Sequence, residues 1–420
     1  MRVVVIGSGL QGVGSAWFLA QEGCDVTVLE REPTVAHGTS FANAGMLTPS
    51  MADPWNAPGI LGHVLGQLGR EDAPFLLRLR ALPSMIGWGL AFLAHSRPAR
   101  HRVNMEKNLR LASYSLAVLR ELRARLELRY DERTAGTIKV FRERRAFDAA
   151  VRRNAVLAQL GLQVRTLTAD EAVQTEPALA GVRDQLVGAI YCPEDESGDA
   201  RQFTGILARK AQEAGARFEF GTDVTGFERA GDRIAAVATT RGRRPADAFV
   251  LAAGCWSPLL LRPLGFALRL RPVKGYSITV PIGAWTPAPA MPVIDDALHA
   301  AATPLGDRLR VAGTAEIAGY DTALTPSRID NLFALLLGLF PSYTPHLDRA
   351  HASPWAGLRP VSADGVPLIG RYRYDNLFLN TGHGHLGWTL ACGSARLLAD
   401  LMLGRPPEVE AAAYDAQRAI

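Results

Sequence analysis

Short apolar runs alternate along the chain with longer amphipathic stretches, a pattern typical of an α/β protein. The first run, Arg2–Ile6, is uniformly apolar and rich in β-branched residues, as in a strand buried on both faces of a parallel sheet. Helical spacing follows through Leu19 and Ala20 and ends at Gly23, and Asp25–Glu30 is a second short apolar run. The chain therefore begins with a predicted strand, helix and strand.

The same reasoning predicts further elements over the rest of the chain. Helices are predicted at Asn104–Glu127, Arg145–Leu160, Gln202–Ala214 and Ile329–Phe340. Strands are predicted at Gly136–Phe141, Arg217–Phe220, Arg233–Thr240, Ala246–Ala252, Pro272–Pro281, Arg308–Ala315 and Leu377–Asn380. The last strand runs into a glycine-rich turn that opens a helix reaching about Leu403, and Ala246–Ala252 is predicted to return to the first sheet.

A glycine motif, G-x-G-x-x-G, joins the first predicted strand to the first helix at Gly7, Gly9 and Gly12. Glycines allow a tight turn and a close approach of the backbone to a pyrophosphate, whose charge is held by the N–H groups at the start of the helix. Glu30, at the tip of the second strand, lies where a carboxylate accepts hydrogen bonds from a ribose. These features predict a dinucleotide site, and they leave NAD and FAD open.

Composition excludes several other classes of protein. The 420 residues suit two domains, and with 21% charged residues the chain is globular. The net charge of +5 is carried almost wholly by arginine, without an aromatic-interleaved basic stripe, so no nucleic-acid partner is predicted. The cysteines lack ligand spacing, which favours a reducing compartment and predicts no metal site; they are Cys24, Cys192, Cys255 and Cys392.

Residues 81–94 form the longest uncharged apolar stretch, and it is too short to cross a bilayer. One interpretation is a buried helix of the second domain. The other is a peripheral membrane contact in which the following basic residues, from His95 to Arg102, meet anionic headgroups. With no signal peptide recognised, the predicted location is the cytoplasm, with peripheral contact at the inner face of the membrane as the alternative.

A second glycine turn, Thr381–Thr389, lies at the other end of the chain and also opens a helix. Two such turns indicate a large two-ended ligand, and FAD fits this description. The first turn would take the pyrophosphate, and the second would offer N–H groups to the flavin edge that gains negative charge on reduction. Between the turns, the small residues of Thr39–Pro49 are suited to lie against a flat ring.

These observations predict an α/β fold with two domains. A discontinuous Rossmann-type FAD-binding domain is assigned to residues 1–53, 197–262 and 355–420. A second, α+β domain for the substrate is assigned to residues 54–196 and 263–354 and is built on a mainly antiparallel sheet.

Five ordered segments, residues 2–32, 39–49, 272–277, 357–371 and 380–394, carry a resemblance to a known family. The chain resembles the small, FAD-bearing subunits of bacterial D-amino acid dehydrogenases. These belong to the flavin amine oxidoreductases that include D-amino acid oxidase and glycine oxidase. The resemblance implies oxidation of a D-amino acid to an imino acid by hydride transfer to flavin N5. Hydrolysis then gives a 2-oxo acid and ammonia, and the electrons pass to a quinone or another acceptor.

The resemblance also implies roles for particular residues. In this family the arginine of a G-x-R-P motif binds the substrate carboxylate, which here is Arg359; the alternative is a surface ion pair. Non-covalent FAD is expected at the glycine turns and the segments between them. The predicted cofactor-binding residues are Gly7, Gly9, Leu10, Gln11, Gly12, Glu30, Arg31, Ser40, Asn43, Ala44, Gly45, Met46, Val224, Ala253, Gly254, Trp256, Gly382, His383, Gly384, His385, Gly387, Trp388 and Thr389.

Some candidates keep two interpretations. Tyr276 is a catalytic candidate with a substrate-side hydroxyl, or a tyrosine packed at the domain interface. His383 and His385 are candidate bases, although their glycine neighbours favour a backbone role. Leu298 stands where relatives carry a tyrosine, which suggests a more apolar pocket or a secondary amine such as hydroxyproline as substrate; His299 would face the other way. The remaining alternatives are an oxidase and a non-catalytic FAD-binding subunit.

Overall fold

The computed structural model of the chain describes residues 1–66, 71, 73, 75–298 and 300–418, so His299 lies outside the described residues. The strands are β1 (Arg2–Ile6), β2 (Asp25–Leu29), β3 (Met46–Leu47), β4 (Phe75–Leu77), β5 (Thr137–Phe141), β6 (Arg165–Leu167), β7 (Gly188–Cys192), β8 (Glu196–Ser197), β9 (Arg217–Glu219), β10 (Val224–Ala230), β11 (Arg233–Thr239), β12 (Gly242–Pro245), β13 (Ala248–Leu251), β14 (Leu270–Pro281), β15 (Val293–Asp295), β16 (Ala300–Leu305), β17 (Arg308–Ile317), β18 (Ser353–Ser362), β19 (Leu368–Tyr372) and β20 (Tyr374–Thr381). The α-helices are α1 (Leu10–Gln21), α2 (Ile60–Gly66), α3 (Leu82–His95), α4 (Pro98–Leu126), α5 (Arg144–Gln159), α6 (Ala169–Thr175), α7 (Ala200–Glu213), α8 (Ser257–Leu261), α9 (Pro326–Leu339) and α10 (Ala391–Leu403).

The first sheet is built around β1, the apolar run at the start of the chain. Its strand order is β19-β20-β13-β1-β2-β9, and all neighbours are parallel except β19 and β20. Buried apolar side chains cover both faces of β1, as the uniform run predicts. The predicted return of the chain to this sheet is confirmed, because β13 pairs with β1 in register from Val3 with Ala248 to Ile6 with Leu251.

Helix α1 packs against α10 and α7 on one face of this sheet, and α4 covers α10. The contact between α1 and α10 is close: a Cβ at Gly14 would lie 2.9 Å from the Ala395 Cβ. This packing joins the first helix of the chain to its last one and brings the two glycine turns, which precede these helices, to the same edge of the sheet.

The second sheet is mainly antiparallel, as predicted. Its order is β18-β14-β17-β16-β15-β5-β7-β6, with β4 pairing in parallel to β17. Helix α9 packs on one face of it against β14 and β17. Strand pairing places β18, residues 353–362, in this second sheet. The third segment of the predicted FAD-binding domain, residues 355–420, begins within this strand. The domain boundaries themselves stay a prediction.

Strands β10, β11 and β12 form a separate antiparallel sheet. The four cysteines are buried and free. No helix among the described residues is long and apolar enough to cross a membrane.

A buried carboxylate, Asp195, ties the segment before β8 to residues 49–51. Its oxygens accept hydrogen bonds from the Ser50 hydroxyl and main-chain N–H and from the Thr137 hydroxyl, the last at 2.7 Å. No ion pair to it exists within the described parts of the chain. Burial raises the pKa of Asp195 to about 6, although these hydrogen bonds lower it.

Asp195 should therefore make the protein less stable as pH rises. The folded state binds the proton more tightly than the unfolded state, so stability is lost between about pH 4 and pH 6, by up to about 3 kcal/mol. We expect Asp195→Asn to remove this loss, because the Ser50 and Thr137 hydroxyls can accept from an amide. Urea unfolding should show that Asp195→Asn raises the free energy of unfolding relative to wild type more at pH 7.5 than at pH 4.5. The exposed Asp375→Asn variant is the control and should show no such difference. An equal change at both pH values would contradict the assignment.

Candidate active site

The first glycine turn leaves N–H groups at the start of α1 free for an anion, although the Leu10 N–H donates to the Ser40 hydroxyl at 3.2 Å. Gly7 has φ +100°, and a Cβ at Gly12 would lie 1.9 Å from the Gly7 carbonyl oxygen, so both positions require glycine. Gly9 caps α1 without a side-chain hydrogen bond, and no acidic residue lies in the first turn. The N-terminus of α1 therefore keeps its positive end open, as phosphate binding requires.

Glu30 is held at the tip of β2 beside this turn. Its carboxylate accepts hydrogen bonds from the Ser8 N–H at 2.8 Å, the Ser8 hydroxyl at 2.7 Å and the Glu32 N–H at 3.0 Å. Nearby, the Arg31 guanidinium lies 4.2 Å from the centre of the Trp256 ring. The carboxylate thus faces the space next to the phosphate turn, where a ribose would lie.

The second glycine turn contacts the first directly. The Gln11 amide donates to the Gly387 carbonyl at 2.7 Å. Gly382 and Gly384 have φ +83° and +56°, in the left-handed region that favours glycine, and Gly384 lines the cavity described below. Two glycine turns more than 370 residues apart in sequence thus share one site.

The segment between them is fixed by main-chain contacts. The Ser277 hydroxyl donates to the Ala42 carbonyl at 2.7 Å, and Asn43 accepts from the Gly45 N–H at 3.0 Å. Met46 pairs with Ser197 in the short β3–β8 ladder. Residues 42–46 line the cavity, and their contact with a flavin ring stays a prediction.

A cavity of about 1320 Å³ extends along these segments to Arg359. Predicted cofactor residues line it, except for Gly12, Gly382 and Thr389. Gly12 lies against the Gly7 main chain, and the Thr389 hydroxyl instead accepts from the Thr48 N–H at 3.0 Å. Trp388 lines the cavity but also packs against Tyr130 and Phe203, so it serves the core as well.

Neither histidine of the second turn is a base at neutral pH. His383 is buried against Ser394 at 3.0 Å, and burial lowers its pKa to about 3. The His385 ring contacts the Met51 carbonyl at 3.1 Å, and burial lowers its pKa to about 4, with the Arg359 charge acting in the same direction. Both rings are therefore neutral at neutral pH and contact neighbouring residues of the fold, and the backbone role of the turn stays a prediction.

Arg359, in β18, lines the same cavity as the first glycine turn. Its guanidinium lies over Gly275, where a Cβ would be 2.3 Å from Nη1, and it donates to the Thr314 carbonyl at 3.3 Å. No carboxylate pairs with it within the described parts of the chain. Burial lowers its pKa to about 10, so the group stays cationic at neutral pH. Arg359 is thus a half-buried cation without an anionic partner among the described residues.

The structure does not bring the Tyr276 hydroxyl together with Arg359. Successive strand residues face opposite sides of a sheet, and Gly275 occupies the side of Arg359. The Tyr276 hydroxyl donates to Glu316 and lies 3.0 Å from the Thr325 hydroxyl, beneath α9. Burial, and then the Glu316 hydrogen bond, raise its pKa. Tyr276 is thus packed in the core of the second sheet and not at the domain interface, although it is among the residues that line the cavity, and its catalytic role stays a prediction.

Leu298 is absent from the described lining of the cavity. Its side chain contacts α9, where a Cβ at Gly338 would lie 3.4 Å from the Leu298 Cδ1. The suggestion of a more apolar substrate pocket, and with it the case for a secondary amine, therefore loses its structural basis.

Comparison with known proteins decides the family. The family model described as FAD dependent oxidoreductase matches residues 2–401. The chain belongs to this family of FAD-dependent oxidoreductases. A D-amino acid dehydrogenase from Paramagnetospirillum magneticum is 47% identical over 410 residues, 97% of this chain and 96% of that protein. One from Bradyrhizobium diazoefficiens is 43% identical over 418 residues, 100% and 99% of the two chains.

Solved structures share the fold of this FAD-dependent oxidoreductase. Glycine oxidase from Geobacillus kaustophilus has a TM-score of 0.79 at 24% identity and covers 100% of this chain and 99% of its own. L-proline dehydrogenase from P. horikoshii has a TM-score of 0.77 at 20% identity and covers 99% of this chain and 96% of its own. The predicted combination of a Rossmann-type FAD domain with a mainly antiparallel sheet is confirmed.

The residues of this oxidoreductase fit FAD. The Gly7–Gly12 turn would hold the pyrophosphate at the N-terminus of α1, Glu30 would bind the ribose, and the second glycine turn would lie beside the flavin. The four cysteines are free, and the Cys255 thiol donates to the Leu358 carbonyl at 3.3 Å. That FAD is bound non-covalently stays a prediction.

Trp55 is a site residue that the sequence reasoning missed. Its ring stacks on His385 with centroids 5.2 Å apart at 11°, and the Arg359 guanidinium lies 5.3 Å from the ring centre. The sequence does contain a signal for this residue, because Trp55 is a large aromatic residue between Pro54 and Pro58 in a segment otherwise made of small residues. In this FAD-dependent oxidoreductase, Trp55 thus contacts both His385 of the second glycine turn and Arg359.

Proposed function

We propose that this protein oxidatively deaminates D-amino acids, with Arg359 binding the substrate carboxylate. The observation that carries the proposal is the half-buried guanidinium of Arg359, which has no ion-pair partner among the described residues and lines the same cavity as the predicted FAD residues. A cation taken out of water needs an anion, and a planar guanidinium is suited to bind a carboxylate with two hydrogen bonds. The relatives named D-amino acid dehydrogenase support an amino acid as the source of that carboxylate.

FAD, when bound, accepts the two electrons of the oxidation. The chain's own residues bind and orient the substrate. Arg359 would fix the carboxylate, the Trp55 ring flanks the guanidinium, and Gly275 leaves room beneath it. Orientation of this kind can supply much of a rate enhancement without an acid or base. The imino acid is hydrolysed by water to the 2-oxo acid and ammonia.

The neutral histidines support a reaction that needs no protein base. His383 and His385 have pKa values lowered to about 3 and 4, so neither ring changes its protonation between pH 6 and pH 9. The substrate amine would then lose its proton to the solvent before oxidation, without a protein base. Arg359 would contribute its charge to binding the carboxylate, whereas two of the carboxylates that line the cavity, Asp295 and Asp296, are paired with Arg142 and Lys139.

An anaerobic absorbance titration of the purified flavoprotein tests this function. A panel of D- and L-amino acids, including both isomers of proline and hydroxyproline, is added to separate samples. Bleaching of the flavin by D-amino acids is the expected result. Bleaching by secondary amines alone would favour the secondary-amine alternative. No bleaching would favour a non-catalytic FAD-binding subunit. Comparing peroxide yield with reduction of an artificial dye distinguishes a dehydrogenase from an oxidase.

We also propose that the electrons pass to a membrane quinone through a peripheral contact at α3. Leu82, Ile86 and Leu90 form an outward apolar stripe on this helix, 40%, 64% and 67% exposed, and all three line the mouth of the cavity. Exposed Arg97, Arg100 and Arg102 follow at the start of α4. Apolar side chains beside a basic cluster are suited to an anionic bilayer surface, which would place the cavity mouth where a quinone is dissolved.

One side of α3 is buried, as the buried-helix interpretation predicts, and the other side is exposed. Met85, Trp88 and Ala91 are buried, and the Trp88 ring N–H donates to the Val361 carbonyl at 3.0 Å. Trp88 is therefore unsuited as a membrane anchor, and the stripe on the other side of α3 carries the proposal.

We expect the double change Ile86→Ser and Leu90→Ser to reduce co-flotation with vesicles containing anionic lipid by at least about tenfold, since each buried leucine or isoleucine contributes roughly 1.5 to 3 kcal/mol. Reduction of an artificial dye by D-amino acids should stay unchanged. Exposed Leu324→Ser and Leu160→Ser, away from the mouth, are the matched control. Equal flotation of all three proteins would contradict the proposed contact.

A further inference from the structure

Thr314, in β17, has a backbone conformation that is uncommon for its residue type. Its φ is +62°, in the left-handed region, where a β-branched side chain is strained. Glycine would adopt this conformation without strain. The surrounding structure must therefore hold Thr314 in place, and strain of this kind is found most often at functional sites.

The conformation belongs to a β-bulge. On the neighbouring strand β14, Lys274 lies opposite Glu316 and Tyr276 lies opposite Gly313. Two residues, Thr314 and Ala315, consequently face the single residue Gly275. A bulge leaves the extra residue outside the regular ladder and redirects its main-chain groups.

The redirected carbonyl meets the carboxylate anchor. The Thr314 carbonyl oxygen accepts a hydrogen bond from Arg359 Nη1 at 3.3 Å. Gly275, opposite the bulge, has no side chain, and the guanidinium occupies the space that a Cβ would need. The guanidinium is therefore positioned by two features: the Thr314 carbonyl accepts its hydrogen bond, and Gly275 leaves the space that it occupies.

The Thr314 side chain takes no part in this arrangement. Its hydroxyl is buried and makes no hydrogen bond with any described residue. The position of Arg359 thus depends on the main chain of Thr314.

We propose that Thr314 is a positioning residue for the substrate carboxylate, which acts through the main-chain carbonyl that holds Arg359 over Gly275. The inference rests on the proposed function, because it takes Arg359 as the group that binds the carboxylate. Without this hydrogen bond the guanidinium would still lie in the cavity, but it would no longer be preorganised for two parallel bonds to a carboxylate.

Deletion of Thr314 tests the inference with little other change. It closes the ladder, because Gly313 stays opposite Tyr276, Glu316 stays opposite Lys274, and the pairing of Ala315 with Phe75 of β4 is unaffected. The measurement is the ratio of kcat/KM for D-alanine to that for D-alaninamide, which lacks the carboxylate. We expect the ratio to fall by about tenfold, mainly through KM for D-alanine, with FAD content unchanged.

Thr314→Gly and Thr314→Val keep the carbonyl and should keep the ratio within about twofold of wild type. A tenfold fall in either variant would overturn the inference, since the side chain would then carry the effect. Thr314→Pro is measured beside the deletion. Because the φ of proline cannot be positive, we expect this variant to lower the ratio of the two kcat/KM values as the deletion does. An unchanged ratio in the deletion or in Thr314→Pro overturns the inference. A wild type that does not distinguish the acid from the amide contradicts the proposed function itself.

Discussion

Replacing Arg359 by leucine should lower kcat/KM for D-amino acids by at least about thirtyfold, which corresponds to a loss of roughly 2 to 5 kcal/mol when one partner of a buried charged pair is removed. The reason is that the described part of the cavity holds no other unpaired cation near Thr314 and Trp55. Steady-state kinetics with dye reduction measure the effect, and the flavin spectrum checks that FAD remains bound.

Two further variants make the result for Arg359 specific. Arg359→Lys keeps a positive charge but loses the planar pair of donors, so its kcat/KM should lie between wild type and Arg359→Leu. Arg371→Leu removes an exposed arginine that pairs with Asp375 at the surface and should behave as wild type. Near-normal kinetics of Arg359→Leu on a carboxylated substrate would rule out the anchor.

The second large effect is expected at the phosphate turn. Gly12→Ala should weaken FAD binding by up to about a hundredfold, since an added methyl group meets the Gly7 carbonyl at 1.9 Å and overpacking of this kind costs roughly 1 to 3 kcal/mol. The turn would have to open, which moves the N–H groups that face the pyrophosphate. The FAD content of the purified protein and titration of the apoprotein with FAD measure the loss.

Gly205→Ala is the matched control for this change. Gly205 lies within α7, and a Cβ there would meet no atom within 4 Å. Alanine is the better helix former, so this variant should bind FAD normally and be more stable by up to about 1 kcal/mol. If Gly12→Ala retained FAD as Gly205→Ala does, the assigned role of the turn would be incorrect.

Local patterns predicted the parts of the fold that depend on neighbouring residues. The run Arg2–Ile6 and the glycine turn after it lie where their apolar and glycine positions indicated, because a buried parallel strand and a phosphate turn are specified by consecutive residues. The mainly antiparallel second sheet was also predicted. Its strand order joins segments far apart in the chain, and no local pattern contains that information.

The site was predicted less completely, for a similar reason. Arg359 was proposed from its motif, but its contacts with Trp55 and Thr314 arise only when three distant segments meet. The side of the sheet that Tyr276 faces follows from Gly275 and the alternation of strand residues, once Arg359 is known to lie over that glycine. The bulge at Thr314 carries no sequence signal, because the residue in the left-handed conformation is a threonine and not a glycine.

The hydrogen bond from Gln11 to the Gly387 carbonyl has a consequence for the order of events during synthesis. The two partners are 376 positions apart. The turn that carries Gln11 is translated before the turn that carries Gly387 and before strand β20, which pairs with β13. While the residues between the two turns are being translated, a nascent chain therefore carries only one half of the cofactor site. FAD can be enclosed by both turns only after the second of them has been made, so we expect loading of the cofactor to follow synthesis of β20 and the second turn.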